Sequence, residues 1–194
     1  MPAAQRGEGE LRVVRAMLDD VAARVKVEAD AVAALGLSAG GALAALLAFH
    51  LADRLRAVAV IAAPPLLGSH NVQDPRDVMR RGLLQPPAGA LGTQRGACAP
   101  LAIVQGTEDQ VVSPQCAEQL QEQALASLRR QGHLLQREDA PGATAQNAAD
   151  FRSNGTLRLR RIDVPGLGDE WTGGPGGHAY CARGGPSLPD LCLR

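Results

Sequence analysis

The chain has 194 residues, of which 45% are hydrophobic and 21% are charged, so a single globular domain with a sizeable core is expected. Its 20 basic and 20 acidic side chains balance, which argues against a nucleic-acid partner. No stretch reaches the roughly 20 apolar residues that a membrane-spanning helix requires. Aromatic residues make up only 2% of the chain, so Ala, Leu and Val must fill the core.

The first part of the chain predicts alternating helices and strands. Apolar residues from Leu11 to Val25 recur at steps of three and four, which indicates an amphipathic helix. The apolar runs at 31–37 and 57–63 lack polar alternation, as is typical of strands buried on both faces of a parallel sheet. Between them, residues 42–51 are nearly all apolar and predict a helix packed against that sheet.

The rest of the chain continues this alternation. Residues 64–100 are rich in Gly, Pro and Arg and predict an irregular crossover with one short helix near 74–81. A third buried strand is expected at 101–105, a helix from Ser113-Pro114 onward and, after the turn signal Asn154-Gly155, a fourth strand at 156–164. Residues 132–153 are polar and poorly patterned, and Gly and Pro predict a loop-rich tail over 165–194.

This order of elements predicts an α/β fold with a mostly parallel sheet of about four strands flanked by helices, in one domain over residues 1–194. A sheet of this kind that lacks strands at one side leaves an apolar edge exposed. We therefore expect self-association through that edge.

A nucleophile elbow is predicted at 36–40, where the sequence reads Gly-Leu-Ser-Ala-Gly between a buried strand and a buried helix. In such an elbow Ser38 stands at the top of a sharp turn with its hydroxyl exposed, and the flanking glycines remove side chains that would clash. The following helix begins at Ala39, whose N–H would hold the oxyanion of an acyl-transfer reaction. A Gly/Ser turn without function has the same composition, but the strand–turn–helix context favours the elbow.

An acidic partner for this serine is expected directly after the third strand, since functional groups of open α/β sheets collect at the carboxyl ends of the strands. Asp109 lies there, follows Ser38 in the order that hydrolases use, and would orient a histidine. Glu108 is an alternative acid. A loop carboxylate that only caps the next helix is the structural alternative.

Four segments together point to a family: RGEGE at 6–10, GLSAGGA at 36–42, GTED at 106–109, and VPGLG with WTGG within 164–174. They resemble the polyhydroxybutyrate depolymerase and feruloyl-esterase-like group of α/β-hydrolases, over about residues 6–190 but only over the second half of a typical family domain. The resemblance implies a partial α/β-hydrolase fold and a serine esterase without metal or organic cofactor. Its ester substrates would be polyhydroxyalkanoates or feruloyl and acetyl esters of polysaccharides. It also implies secretion, although residues 1–10 lack the apolar core of a signal peptide.

The sequence departs from that family at the catalytic base. The resemblance places a histidine where this chain has Asp169, and a carboxylate cannot shuttle a proton at neutral pH as imidazole does. His178, in the glycine-rich stretch that follows, is the candidate replacement, and an exposed loop histidine is the other interpretation. His50, His70 and His133 do not follow the fourth strand. The strands before the elbow, with the loop that supplies a second oxyanion N–H, are also missing.

Two functional hypotheses therefore remain open. The first is a serine esterase that forms an acyl-enzyme on Ser38. The second is a catalytically inactive hydrolase-like fragment with a binding role or none. The four cysteines lack CxxC spacing, which argues against zinc, and free thiols are favoured over disulfides; they are Cys98, Cys116, Cys181 and Cys192.

Overall fold

The computed structural model describes residues 9–28, 31–66, 73–84, 97–140, 147–174 and 180–183. The helices are α1 (Glu10–Arg24), α2 (Ala39–His50), α3 (Pro75–Arg81) and α4 (Pro114–Arg130). The strands are β1 (Ala33–Leu37), β2 (Ala57–Ile61), β3 (Leu101–Gly106), β4 (Gln136–Asp139), β5 (Asn147–Ser153), β6 (Thr156–Val164), β7 (Trp171–Gly174) and β8 (Cys181–Arg183). Within the described residues, β1 to β6 form one mixed sheet in the order β1-β2-β3-β6-β5-β4, and β7 pairs with β8.

The four predicted strands are confirmed and are mutually parallel. β1 pairs with β2, β2 with β3, and β3 with β6, so their carboxyl ends meet at one edge of the sheet. Every residue of β3 is buried, as the apolar run at 101–104 predicts. Helices α2 and α4 contribute fully buried side chains to the same core as the sheet, such as Ala48, Leu120 and Leu128. The fold is therefore a partial α/β-hydrolase fold.

Two antiparallel strands extend the sheet beyond the prediction. Residues 132–153, which the sequence pattern leaves without structure, contain β4 and β5, and β5 pairs antiparallel with both β4 and β6. Asn154 and Gly155 form the predicted turn between β5 and β6, with φ values of 50° and 75°. Asp150 of β5 is fully buried, and its carboxylate accepts hydrogen bonds from Arg160 at 2.6 and 2.9 Å. Because β5 buries this charged residue, its sequence lacks the apolar pattern from which a strand is predicted.

The crossover is attached to the core through two buried glutamines of α4. The side chain of Gln119 accepts a hydrogen bond from the N–H of Leu83 at 2.7 Å and donates one to its carbonyl at 2.9 Å. Gln123 does the same with the backbone of Leu66, at 3.0 and 2.9 Å. Each amide therefore binds the backbone as a neighbouring strand would, which satisfies polar groups that are buried in an irregular segment.

Of the loop-rich tail predicted over 165–194, the described residues contain two short strands, β7 and β8. Residues 175–179 and 184–194, with Cys192, lie outside the described residues. Cys98, Cys116 and Cys181 are free thiols, and burial raises the pKa of Cys98 to about 12 and that of Cys116 to about 11. These two thiols are therefore unreactive at neutral pH. In the described part of the chain, none of the helices combines the length and the apolar character that crossing a membrane requires.

Candidate active site

Ser38 lies in a strained turn between β1 and α2. Its backbone has φ 54° and ψ −118°, a conformation that non-glycine residues rarely adopt. The turn is held from both sides, because the Ser38 N–H donates to the carbonyl of Ile61 at 2.9 Å and its carbonyl accepts from Ala42 at 3.0 Å. The hydroxyl makes no capping bond to α2. This is the strand–turn–helix geometry that a nucleophile elbow requires.

Gly36 and Gly41 make this tight turn sterically feasible, whereas the motif points to Gly36 and Gly40. A Cβ on Gly36 would lie against the carbonyl of Gly40 and 2.7 Å from the nitrogen of Gly41. A Cβ on Gly41 would lie 2.8 Å from the Cβ of Ala63. By contrast, a Cβ on Gly40 would meet nothing within 4 Å. The expectation that the second motif glycine relieves a clash is therefore wrong, and Gly41 has that role.

Asp109 is the acid that faces the interior. It is 6% exposed, whereas Glu108 is exposed to solvent. Its Oδ1 accepts hydrogen bonds from the N–H groups of Val111 at 2.9 Å and Val112 at 2.8 Å, and its Oδ2 accepts from Gln105 Nε2 at 3.0 Å. Three donors thus fix the carboxylate in one orientation at the end of β3. Gln105 was not predicted, although a polar residue at the end of an apolar strand is the signal that marks it.

The loops after β3 and β6 are bonded to each other, which brings Asp169 towards Asp109. The Thr107 hydroxyl accepts a hydrogen bond from the N–H of Gly166 at 3.0 Å, and the N–H of Glu108 donates to the carbonyl of Leu167 at 3.1 Å. The approach is close enough that a Cβ on Gly106 would lie against the backbone of Leu167. Residues that follow two adjacent strands therefore share one site.

Asp169 occupies an environment that disfavours a negative charge. Burial raises the pKa of its carboxyl, and the charges of Asp109 and Glu170 raise it further. Its Oδ1 is buried without a hydrogen-bond partner in the described structure. Thr172, the second residue of β7, is 5% exposed, and its hydroxyl also has no partner among the described residues. These unsatisfied groups lie in the segment where the family resemblance places the catalytic histidine.

The histidines within the described residues lie away from this edge. His50 ends α2, which is about 18 Å long and begins beside Ser38. His133 follows the end of α4, a helix that begins just after the Asp109 loop. His178 and His70 fall outside the described residues. The structure thus brings Asp109 and Asp169 together and has Ser38 at the same sheet edge, and the assignment of His178 as the base stays a prediction.

Trp171 packs beneath this edge. With Leu37, Ala148 and Ala182 it contacts a small apolar cluster of buried residues, namely Ile61, Ala62, Val104, Ile162, Val164 and Leu167. Its backbone N–H donates to the carbonyl of Tyr180 at 2.8 Å, which joins β7 to β8. The tryptophan therefore fills the core under the loops that carry the candidate site residues.

A family model matches most of this chain. The model of the family described as "Esterase PHB depolymerase" matches residues 2–152, which include the elbow and the Asp109 loop and end before β6. No protein with a curated description matches the chain.

Solved esterase structures share the fold at low sequence identity. Acetyl xylan esterase from Aspergillus awamori is 16% identical, with a TM-score of 0.66, over 86% of this chain and 65% of its own. A PHB depolymerase complexed with an R3HB trimer is 17% identical, with a TM-score of 0.56, over 86% of this chain and 51% of its own. PHB depolymerase from Penicillium funiculosum is 18% identical, with a TM-score of 0.53, over 80% and 45%. This chain therefore spans about half to two thirds of the length of these proteins.

Proposed function

Because the chain belongs to the Esterase PHB depolymerase family, we propose that it is a serine hydrolase of carboxylic esters with Ser38 as its nucleophile. The observation that carries this proposal is the strained elbow: Ser38 has a positive φ at the point where a parallel strand meets the N-terminus of a buried helix. The fixed carboxylate of Asp109 lies at the same edge of the sheet, two strands away. This is the side on which α/β enzymes place their catalytic groups.

In the proposed reaction, the Ser38 oxygen attacks the ester carbonyl carbon while a base removes the serine proton. The oxyanion that forms accepts a hydrogen bond from the Ala39 N–H at the start of α2, where the helix dipole also favours negative charge. The protonated base then gives its proton to the departing alcohol. Water, activated by the same base, attacks the acyl-enzyme, which releases the acid and regenerates the serine.

The base is the open part of this mechanism. We propose His178, with Asp109 orienting its ring and stabilising the imidazolium. Asp169 is a poor base at neutral pH. Burial raises the pKa of its carboxyl, but a carboxyl group lacks the two ring nitrogens with which imidazole holds one proton and accepts another.

The second candidate function is a hydrolase-like domain that does not turn over substrate. The residue at position 169 supports this second candidate. The family resemblance places the catalytic histidine there, but this chain has an aspartate, which lies near Asp109 and does not supply the missing base. In this case the elbow persists because it organises the fold, and Ser38 would bind but not react.

Hydrolysis of a p-nitrophenyl acyl ester by the purified chain separates the two candidates. If Ser38 is the nucleophile, Ser38→Ala abolishes turnover and also abolishes covalent labelling by a fluorophosphonate probe. If His178 is the base, His178→Ala lowers kcat by at least about 10³-fold, whereas the control His133→Ala does not change it. Turnover that survives Ser38→Ala would refute the esterase proposal. The absence of turnover and labelling, even in Asp169→His, would establish the inactive domain.

Two ester classes are the proposed substrates, since the similar solved structures include an acetyl xylan esterase and a PHB depolymerase with an R3HB trimer. Parallel assays with acetylated xylan and with hydroxybutyrate oligomers distinguish them by kcat/KM.

A further inference from the structure

Gln105 is the one polar side chain of β3, and it is 1% exposed near the carboxyl end of that strand. Its amide nitrogen donates hydrogen bonds to Asp109 Oδ2 at 3.0 Å and to the carbonyl of Val112 at 3.1 Å, with a longer one to the carbonyl of Gly106 at 3.3 Å. Its oxygen, Oε1, is buried without a hydrogen-bond partner among the described residues. The nitrogen therefore makes all the hydrogen bonds that this side chain has in the described structure.

The surroundings of this amide determine its orientation and show what the side chain contributes. In the reverse orientation, Oε1 would face a carboxylate and two carbonyl oxygens, none of which can donate a hydrogen bond. A buried acceptor without a partner lowers stability, and an apolar side chain would continue the pattern of β3 without that loss. Gln105 is therefore unfavourable for the core, and what it adds over an apolar residue is a donor for the Asp109 carboxylate.

The hydrogen bonds to Asp109 leave one position on its carboxylate for a further donor. A carboxylate has about four acceptor positions, two on each oxygen. The N–H groups of Val111 and Val112 occupy both positions of Oδ1, and the amide of Gln105 occupies one position of Oδ2. A ring N–H of a catalytic histidine must therefore bind to Oδ2, which is the oxygen that Gln105 holds.

We propose that Gln105 is a positioning residue of the esterase: its amide keeps Oδ2 of Asp109 in place to accept the N–H of the catalytic base. This inference rests on the proposed function, because it concerns the acid of the same site. The bonds to Oδ1 come from backbone N–H groups, which almost any residue supplies, so Gln105 is the side chain on which the position of Oδ2 depends. The same nitrogen binds the carbonyl of Val112, which ties the acid loop to β3 just before α4 begins.

Removal of the amide tests this role in the purified chain, with a p-nitrophenyl ester as substrate. Gln105→Met keeps the length of the side chain but has no donor, so kcat should fall by about 10- to 100-fold with little change in KM, because the acid is misplaced while the substrate still binds. The control Gln123→Met removes another buried glutamine, whose amide binds only the backbone of Leu66, and should lower stability but leave kcat within about twofold. A Gln105→Met variant with unaltered kcat overturns the proposal.

The pH dependence of Gln105→Glu separates positioning from the filling of space. The introduced carboxyl can donate to Asp109 Oδ2 while it is protonated, but it repels that oxygen once it ionises. The ratio of kcat in this variant to kcat in the unaltered chain should therefore fall by at least about tenfold between about pH 5 and about pH 8, whereas the ratio for Gln105→Met should not change with pH. Equally low ratios that do not depend on pH in either variant would mean that Gln105 only fills the core, which overturns the proposal.

A double-mutant cycle tests whether Gln105 acts through Asp109. Asp109→Ala should lower kcat by about 10³- to 10⁴-fold, and adding Gln105→Met to it should have no further effect, because the group that the amide positions is already gone. Losses that multiply in the double variant overturn the proposal.

The unaltered chain distinguishes failure of this role from failure of the proposed function. A chain with no ester turnover and no fluorophosphonate labelling refutes both, whereas an active chain that tolerates the loss of the Gln105 amide refutes the positioning role alone. Circular dichroism and tryptophan fluorescence show whether each variant is folded. If Gln105→Met does not fold, the pH dependence of Gln105→Glu decides the proposal by itself.

Discussion

Replacement of Gly40 or of Gly41 with alanine should change the free energy of unfolding in opposite directions, although the two residues are adjacent. At Gly40, an added methyl group meets nothing within 4 Å, and the residue belongs to α2. Alanine is favoured over glycine in a helix, so Gly40→Ala should raise the free energy of unfolding by about 0.5 kcal/mol. This is the motif position that the sequence pattern marks as glycine for steric reasons.

At Gly41, the methyl group would lie 2.8 Å from the Cβ of Ala63 and 3.0 Å from the carbonyl oxygens of Gly36 and Ile61. These neighbours are backbone or a rigid methyl group, so α2 must move away from the sheet. Overpacking of this kind costs about 1–3 kcal/mol, and Gly41→Ala should lower the free energy of unfolding by that amount. Gly36→Ala, which points into the Gly40 carbonyl, should be at least as harmful.

Urea denaturation followed by circular dichroism, with the fluorescence of the single tryptophan as a second probe, measures these differences. The Gly40 and Gly41 variants should differ by about 1.5–3.5 kcal/mol, or by several degrees in Tm. If the two variants are equally destabilised, the glycines act through something other than the close approach of α2 to the sheet. If both are tolerated, the approach is looser than described.

Three further predictions concern buried polar groups. Burial alone would raise the pKa of Asp150, but the hydrogen bonds and charge of Arg160 outweigh it and hold that pKa below its usual range. This contribution to stability is therefore present above about pH 4 and is lost as pH falls, so Asp150→Asn should cost about 3–5 kcal/mol at pH 7 and progressively less in acid titrations. Asp169 is the reverse case, since burial and the charge of Asp109 raise its pKa. The protonated carboxyl is tolerated at low pH, and stability is lost as pH rises through that pKa. In thermal unfolding, Asp169→Asn should therefore be more stable than the unaltered chain at pH 7 by on the order of 1 kcal/mol, and this difference should disappear at pH 4. Gln123→Ala should cost about 1–3 kcal/mol in urea denaturation because it leaves a buried N–H and a carbonyl of the crossover unpaired, and a smaller loss would mean that water replaces the amide.

The central strands β2 and β3 were predictable because they are buried on both faces, which leaves an apolar run in the sequence. The similar run at 31–37 also forms a strand, but the expectation that both of its faces are buried is wrong, since Ala33 and Leu35 of β1 are exposed. The bounds of β6 were predicted to the residue, since a hairpin turn fixes where this strand begins. β4 and β5 were not predictable from pattern. All four residues of β4 are exposed at the sheet edge, and β5 buries Asp150 through ion pairs rather than through apolar contact. Such strands depend on partners that lie elsewhere in the sequence.

The part of the candidate site that depends on local backbone geometry was predictable from the sequence. The part that depends on contacts between separate loops was not. Ser38 and its turn follow from local chemistry, because a serine at positive φ between a strand and a helix needs small neighbours. The roles of Gln105 and Thr107 depend on the Asp109 carboxylate and on the loop after β6, and neither could be assigned from spacing along the chain. Gly41 was missed for the same reason, since it is the neighbouring strand, β2, that excludes its side chain.

The loop after β6 disfavours a negative charge at the position of the Asp169 carboxyl group. Burial raises the pKa of this carboxyl, and the charges of Asp109 and Glu170 raise it further. For an imidazole at this position the two causes oppose each other, since burial disfavours the imidazolium whereas the charges of Asp109 and Glu170 favour it. Asp169→His therefore exchanges a carboxyl group that the site disfavours for a ring that the carboxylates of Asp109 and Glu170 stabilise when it is protonated.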